Sequence, residues 1–141
     1  LIGRTNLWDE GVVAPQMLMG KEHWLRWLDA GMDVGSHTCH HIDLQVTDDA
    51  QALSEMQESK SVLESELGAP VRHFCYPYGR YHDRHAQMVR QAGYLTATTM
   101  RRGRVHDQHD PYLLPRVMVA CSTYPWHMAL KVLTDYEDRR A

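Results

Sequence analysis

Two rhythms of apolar positions take turns along this chain, one helical and one extended. Between Lys21 and Ala30 the residues Trp24, Leu25, Trp27 and Leu28 fit a short amphipathic helix, and Gly31 falls where a C-terminal cap belongs. The pattern predicts Trp24 and Trp27 as core residues. Met32 to Ser36 reads as a short strand running into His37. Thr47 or Asp48 caps a second helix, with Gln51 placed to answer Asp48 in a capping box. Its stripe of Leu53, Met56, Leu63 and Leu67 is broken by Lys60, expected to snorkel, and ends at Gly68-Ala69-Pro70. The rhythm then repeats. Val71 to Tyr76 predicts a strand, Pro77-Tyr78-Gly79 a turn, Asp83 to Ala92 a helix closed by Gly93, and Tyr94 to Thr99 another strand. A polar loop from Arg101 to Pro111 leads to a strand over Leu114 to Val119. A last helix follows from about Thr123, with Trp126, Ala129, Leu130 and Leu133 on its apolar face. The first stretch, Leu1 to Met19, has no clear period and is expected to be loop.

Alternation of helix and strand at this spacing predicts parallel β/α units, in a barrel or an open sheet. A complete eight-fold barrel takes about 250 residues, and there are 141 here. The expectation is one domain, or part of one. The chain opens on Leu1 rather than a start methionine, as a piece of something longer would.

Composition narrows the classes. With 43% hydrophobic and 23% charged residues, the chain is ordinary globular material. No apolar run approaches the ~20 residues of a membrane-spanning helix. A net charge of -3 excludes a generic basic surface for nucleic acid. Cys39, Cys75 and Cys121 form no C-x-x-C pair, which excludes a disulfide framework and a zinc ribbon. Arg101-Arg102-Gly103-Arg104 reads as a solvated basic loop that an anionic polymer could use. His106, His109 and His127 have no spacing that assigns them a role.

The densest chemistry is Gly35-Ser36-His37-Thr38-Cys39-His40-His41-Ile42-Asp43-Leu44, just past a predicted strand. His37 and His41 stand four apart, so one helical turn would aim both rings at a common point. Zinc favours neutral imidazole nitrogens, and a catalytic zinc takes three protein ligands with a position left open. Two histidines are one short. The metalloprotease pattern H-E-x-x-H has the same spacing, but Thr38 cannot be its general base. Cys39 and Cys75 are held open as thiolate ligands, and histidines that merely decorate a polar loop are the plainer alternative. A second segment, Phe74-Cys75-Tyr76-Pro77-Tyr78-Gly79, is a strand stopped by a turn whose outward N–H groups could hold a developing oxyanion. Both segments follow strands in the same β/α phase, and in parallel architecture such strand ends share the face that carries the site.

These two segments together resemble the polysaccharide deacetylases of the NodB-homology domain, carbohydrate esterase family four. Ser59-Lys60 with Leu63-Glu64, Ala92-Gly93-Tyr94 and Leu114-Pro115-Arg116 are similar to that family as well, so the resemblance runs from about Trp8 to Val119. It implies a partial, distorted (β/α) barrel with its N-terminal strands missing, as a single truncated domain over residues 1–141. It implies a metal-dependent hydrolase that removes N-acetyl groups from polysaccharides built of N-acetylglucosamine-type units. By resemblance His37 and His41 are two ligands of a divalent metal, zinc by preference. Thr38 braces the loop between them, and the backbone amide of Tyr78 sits in the oxyanion hole. Three family features have no match: the early Thr-Phe-Asp-Asp motif that supplies the base and third ligand, the arginine common where Cys75 stands, and the late Leu-x-His motif. The chain alone is therefore expected to be inactive, and exposed sheet edges leave pairing with a second copy open. The partner implied is a polysaccharide, with no nucleic acid. Cell envelope and cytoplasm both remain open as the compartment. A non-catalytic glycan-binding domain and a structural metal site on the same fold are the rival readings.

Overall fold

The computed structural model describes residues 17–140. Helices α1 (Lys21–Asp29), α2 (Asp49–Leu67), α3 (Asp83–Gln91) and α4 (Pro125–Leu133) alternate with short strands β1 (His73–Cys75), β2 (Thr96–Arg102) and β3 (Leu114–Arg116). The sheet is parallel with order β1-β2-β3. Phe74 of β1 pairs with Ala97 of β2, and Thr98 and Arg102 of β2 pair with Leu114 and Arg116 across an irregularity in register.

The strand expected over Met32 to Ser36 is reduced to a single parallel bridge between Ser36 and Phe74. Ser36 donates its N–H to the His73 carbonyl at 2.8 Å and accepts from the Cys75 N–H at 2.9 Å. One residue is enough to carry the chain into register with β1 just before His37. β2 runs further than expected, through Arg102, and β3 stops earlier, at Arg116.

α2 has the ends its sequence predicts. The Asp48 carboxylate accepts from the Gln51 amide at 3.0 Å, and Gly68 closes the helix at φ +63°, where a side chain would be strained. Its inner face packs Ala52 and Met56 against Leu44, Val71, Phe74, Tyr76, Val89, Tyr94 and Ala97, the core between sheet and helices. Within that core Ser59 is bonded to Ser36 at 2.6 Å, and the Tyr94 hydroxyl donates to the Met56 carbonyl at 2.8 Å. Lys60 does more than snorkel: its ammonium donates to the Val71 carbonyl at 2.6 Å and to Glu64.

Three expectations need correction. Helix α1 buries no residue, and Trp27 stays 47% exposed. The two indole N–H groups bond instead to the carbonyls of Met19 and Asp33, at the helix flanks. The apolar stripe of α4 is likewise not core: Trp126 is 68% and Leu133 76% exposed, and the buried residue of that helix is Lys131. The basic loop is not simply solvated either. Arg102 forms a two-pronged bond to Glu137, at 2.9 and 3.0 Å, and Arg104 is held by Asp138 and Asp135. Periodicity shows which face of a helix is apolar, but it does not show what lies against that face. Among the described residues no helix is long and apolar enough to cross a membrane.

Candidate metal and catalytic site

His37 and Tyr78 each leave the carboxyl end of a paired strand position, Ser36 and β1 respectively, so the parallel sheet delivers both to one face. The His37 Nδ1 lies 2.7 Å from the Cys75 carbonyl oxygen. A carbonyl can only accept, so Nδ1 carries the proton and Nε2 keeps its lone pair, the arrangement a metal-ligating imidazole needs. The rings of His37 and His41 have centroids 4.8 Å apart, and the His41 ring meets the Tyr78 ring edge-on at 4.5 Å.

The loop does not reach this arrangement by a helical turn, as the four-residue spacing suggested. Thr38 and His41 both adopt left-handed backbone, at φ +64° and +54°, and Tyr78 does so at +57°. These are the three non-glycine residues with positive φ among those described, and all three lie at this site. Strained backbone of this kind persists where the surroundings hold it.

Two latches join the histidine loop to the tyrosine turn. Arg80 donates to the Asp43 carboxylate at 2.6 Å and lies over the Tyr78 ring, 5.6 Å from its centroid. Gln45 donates its side-chain amide to the Tyr81 carbonyl at 3.2 Å. The Arg80 hydrogen bond, helped by the Gln45 amide, holds the Asp43 carboxyl below its usual range. Within the turn, Gly79 N–H bonds to the Tyr76 carbonyl and Arg80 N–H to the Pro77 carbonyl. Gly79 sits at φ +66°, directly under Met100 of β2.

The cysteines differ. Burial, followed by the nearby carboxylates of Glu55 and Glu58, pushes the Cys39 thiol up to about 11, which leaves it a poor thiolate ligand. For Cys75 burial also opposes ionisation, but hydrogen bonds with His37 and Thr98 outweigh it and bring the thiol below its ordinary value. For His37 burial disfavours the proton, and the bonds to Cys75 override it and raise the pKa. The positive charge of Arg116, at the end of β3, reaches both groups.

His37, His41 and Tyr78 are thus brought together. His40 turns away to bond Glu55 at 2.6 Å. The buried Thr38 hydroxyl has no hydrogen-bond partner among the described residues, so no hydrogen bond from it fixes the loop. That task falls to Glu55, which the sequence reading missed: a glutamate on a helix 15 residues downstream of His40 reads as a solvated charge. Trp24 lines a cleft of about 280 Å³ next to His37, Thr38 and Cys39. His106 lies elsewhere, against Asp138. Among the described residues no group of three His, Cys, Asp or Glu could hold a metal ion. The two imidazoles do fit one as a partial donor set, because His37 is held in the tautomer that leaves Nε2 available.

The polysaccharide deacetylase family model matches residues 7–97, and the chain belongs to that family. YxkH of Bacillus subtilis (strain 168), provisionally named a polysaccharide deacetylase, is 29% identical over 90 residues, covering 64% of this chain and 32% of that protein. A Streptococcus pyogenes deacetylase solved in complex with acetate shares the fold at a TM-score of 0.78 and 23% identity, over 91% of this chain and 55% of its own. A polysaccharide deacetylase from Bacillus cereus does so at 0.75 and 24%, over 87% and 38%. The mixed α/β architecture with a parallel sheet is therefore that of the NodB-type deacetylases. The chain spans about a third of the length of the curated relative it matches.

Proposed function

We propose that this chain is the histidine-bearing part of a metal-dependent hydrolase that removes N-acetyl groups from a polysaccharide of N-acetylglucosamine type. The observation that carries the reading is the convergence of His37 and His41, 4.8 Å apart, beside the Tyr78 turn at the carboxyl ends of parallel strands. His37 and His41 would hold a divalent cation, and zinc suits their nitrogen donors. When bound, such an ion polarises the acetyl carbonyl and acidifies a water.

The remaining work belongs to the polypeptide. The Cys75 carbonyl keeps the proton on His37 Nδ1 and so aims Nε2 into the site. The Tyr78 N–H would donate to the oxygen of the acetyl group as negative charge develops there. A carboxylate takes the proton of the water as its oxygen bonds to the acetyl carbon, that proton passes on to the amide nitrogen as the C–N bond breaks, and acetate and the free amine leave. That carboxylate and the third ligand are aspartates from outside the described residues, and the 141 residues alone are inactive.

The test compares zinc content and acetate release from an N-acetylglucosamine polymer for two polypeptides. One is this chain; the other is the same chain continued upstream through an Asp-Asp strand. The expected result is acetate release by the longer polypeptide only, with about one tightly held zinc there and weak zinc binding to the two histidines of this chain. A longer polypeptide that holds no zinc and releases no acetate, yet binds the glycan, would overturn the enzyme reading in favour of a binding domain.

A further inference from the structure

We propose that Glu55 is a positioning residue that preorganises the His37–His41 pair for a divalent cation; this rests on the reading of those histidines as ligands. Glu55 lies in the second turn of α2 and is 7% exposed. One carboxylate oxygen accepts from two successive backbone amides, Cys39 at 2.9 Å and His40 at 3.0 Å. The other accepts from the His40 ring at 2.6 Å. Two neighbouring amides converge on one oxygen only if the backbone between them is sharply turned, and here that segment lies between the left-handed residues Thr38 and His41. Each such residue is unfavourable in an unsupported loop. A buried carboxylate in turn demands donors. The loop and Glu55 therefore satisfy each other.

The helix grips the loop a second time. Ser59, four residues on and so on the same face of α2, is bonded to Ser36 at 2.6 Å. α2 thus fixes the residue before His37 through Ser59, and the two residues before His41 through Glu55. The ligand pair is held at both ends by one rigid element. A loop free to straighten would have to be ordered at the moment of metal binding, and that cost would come out of the affinity.

The experiment titrates zinc alone into the chain and follows the ring resonances of His37 and His41 by NMR, which reads weak as well as tight binding. Glu55→Ala should weaken zinc binding about 10- to 100-fold, the scale seen when an outer partner of a metal ligand is lost. Glu55→Gln keeps an acceptor oxygen for the two amides and should stay within about threefold of the parent. Leu53→Ala, a packing change on the same helix, should lower the melting temperature and leave zinc affinity unchanged. Where the alanine variant loses the fold, Glu55→Asp, whose carboxylate is withdrawn by one methylene, carries the same expected weakening. If Glu55→Ala binds as the parent does while His37→Ala abolishes binding, the ligand reading stands and the positioning role is overturned. If the parent chain shows no zinc-dependent shift at His37 or His41, the ligand reading falls and takes this proposal with it.

Discussion

His37 is bonded through Nδ1 to the main-chain carbonyl of Cys75 at 2.7 Å, so the first residue of the histidine loop is anchored to the last residue of β1. The anchor is a backbone atom, and the identity of the side chain at position 75 does not enter into it. The thiol itself points its weak bond at the Tyr76 carbonyl, 3.9 Å away, and is not needed to set the tautomer.

Replacement of Cys75 by serine is therefore expected to keep zinc affinity within about threefold, with a stability loss of about 1 kcal/mol for the altered half-buried contact. Competition with a chromophoric chelator reads the first quantity and urea unfolding the second. A tenfold loss of zinc would make the thiol a ligand and favour the structural-metal alternative.

Gly79→Ala should be costly for two reasons. The residue sits at φ +66°, and a Cβ there would meet Met100 Cβ and Cγ at 2.5 Å. The first of those atoms is fixed to the β2 backbone, so strand or turn must move. A loss of about 2–4 kcal/mol is expected, strain and overpacking together, with a broadened Tyr78 amide resonance. An alanine variant as stable as the parent would show that the turn and β2 are not in this contact.

The histidines and the tyrosine turn were legible because each is a contiguous run whose chemistry depends on neighbours in sequence. The ends of α2 were legible for the same reason: Asp48 and Gly68 act within one turn of where they stand. Glu55 was not, because its partners Cys39 and His40 lie across the fold and its helix position alone suggests solvent. Nor was Lys131, which the apolar stripe of α4 surrounds in sequence but which the fold buries against Glu137. Partners distant in sequence leave no period behind.

The exposed face of α4 gives a test of that last point. Leu133→Ala is expected to change the stability of this chain by less than about 0.5 kcal/mol, since the side chain is 76% exposed. Phe74→Ala in the core should cost roughly 3–5 kcal/mol. Chemical unfolding of both variants decides it. A loss of 2 kcal/mol at Leu133 would mean that this face is covered in solution.

Acid should weaken the C-terminal closure in a defined direction. Hydrogen bonds from Arg102, and then from Lys131, hold the fully buried Glu137 carboxyl at about 2 against an ordinary 4.5, with burial opposing. The folded state therefore releases this proton more readily than the unfolded chain. Its contribution to stability is complete above about pH 5 and is lost as pH falls through the folded value near 2. Asp138, held at about 2 by the Arg104 backbone and side chain, adds a slope of the same sign. Glu137→Gln should flatten part of the pH dependence of unfolding between about pH 5 and 2. It should also lower stability near neutral pH by about 3 kcal/mol, because the Lys131 ammonium, 5% exposed, loses its counter-charge and keeps neutral acceptors, the Met118 carbonyl and the Tyr136 ring among them. Urea unfolding at several pH values measures both effects. A variant with an unchanged acid slope and near-parental stability would show that Glu137 is not ionised in the folded protein.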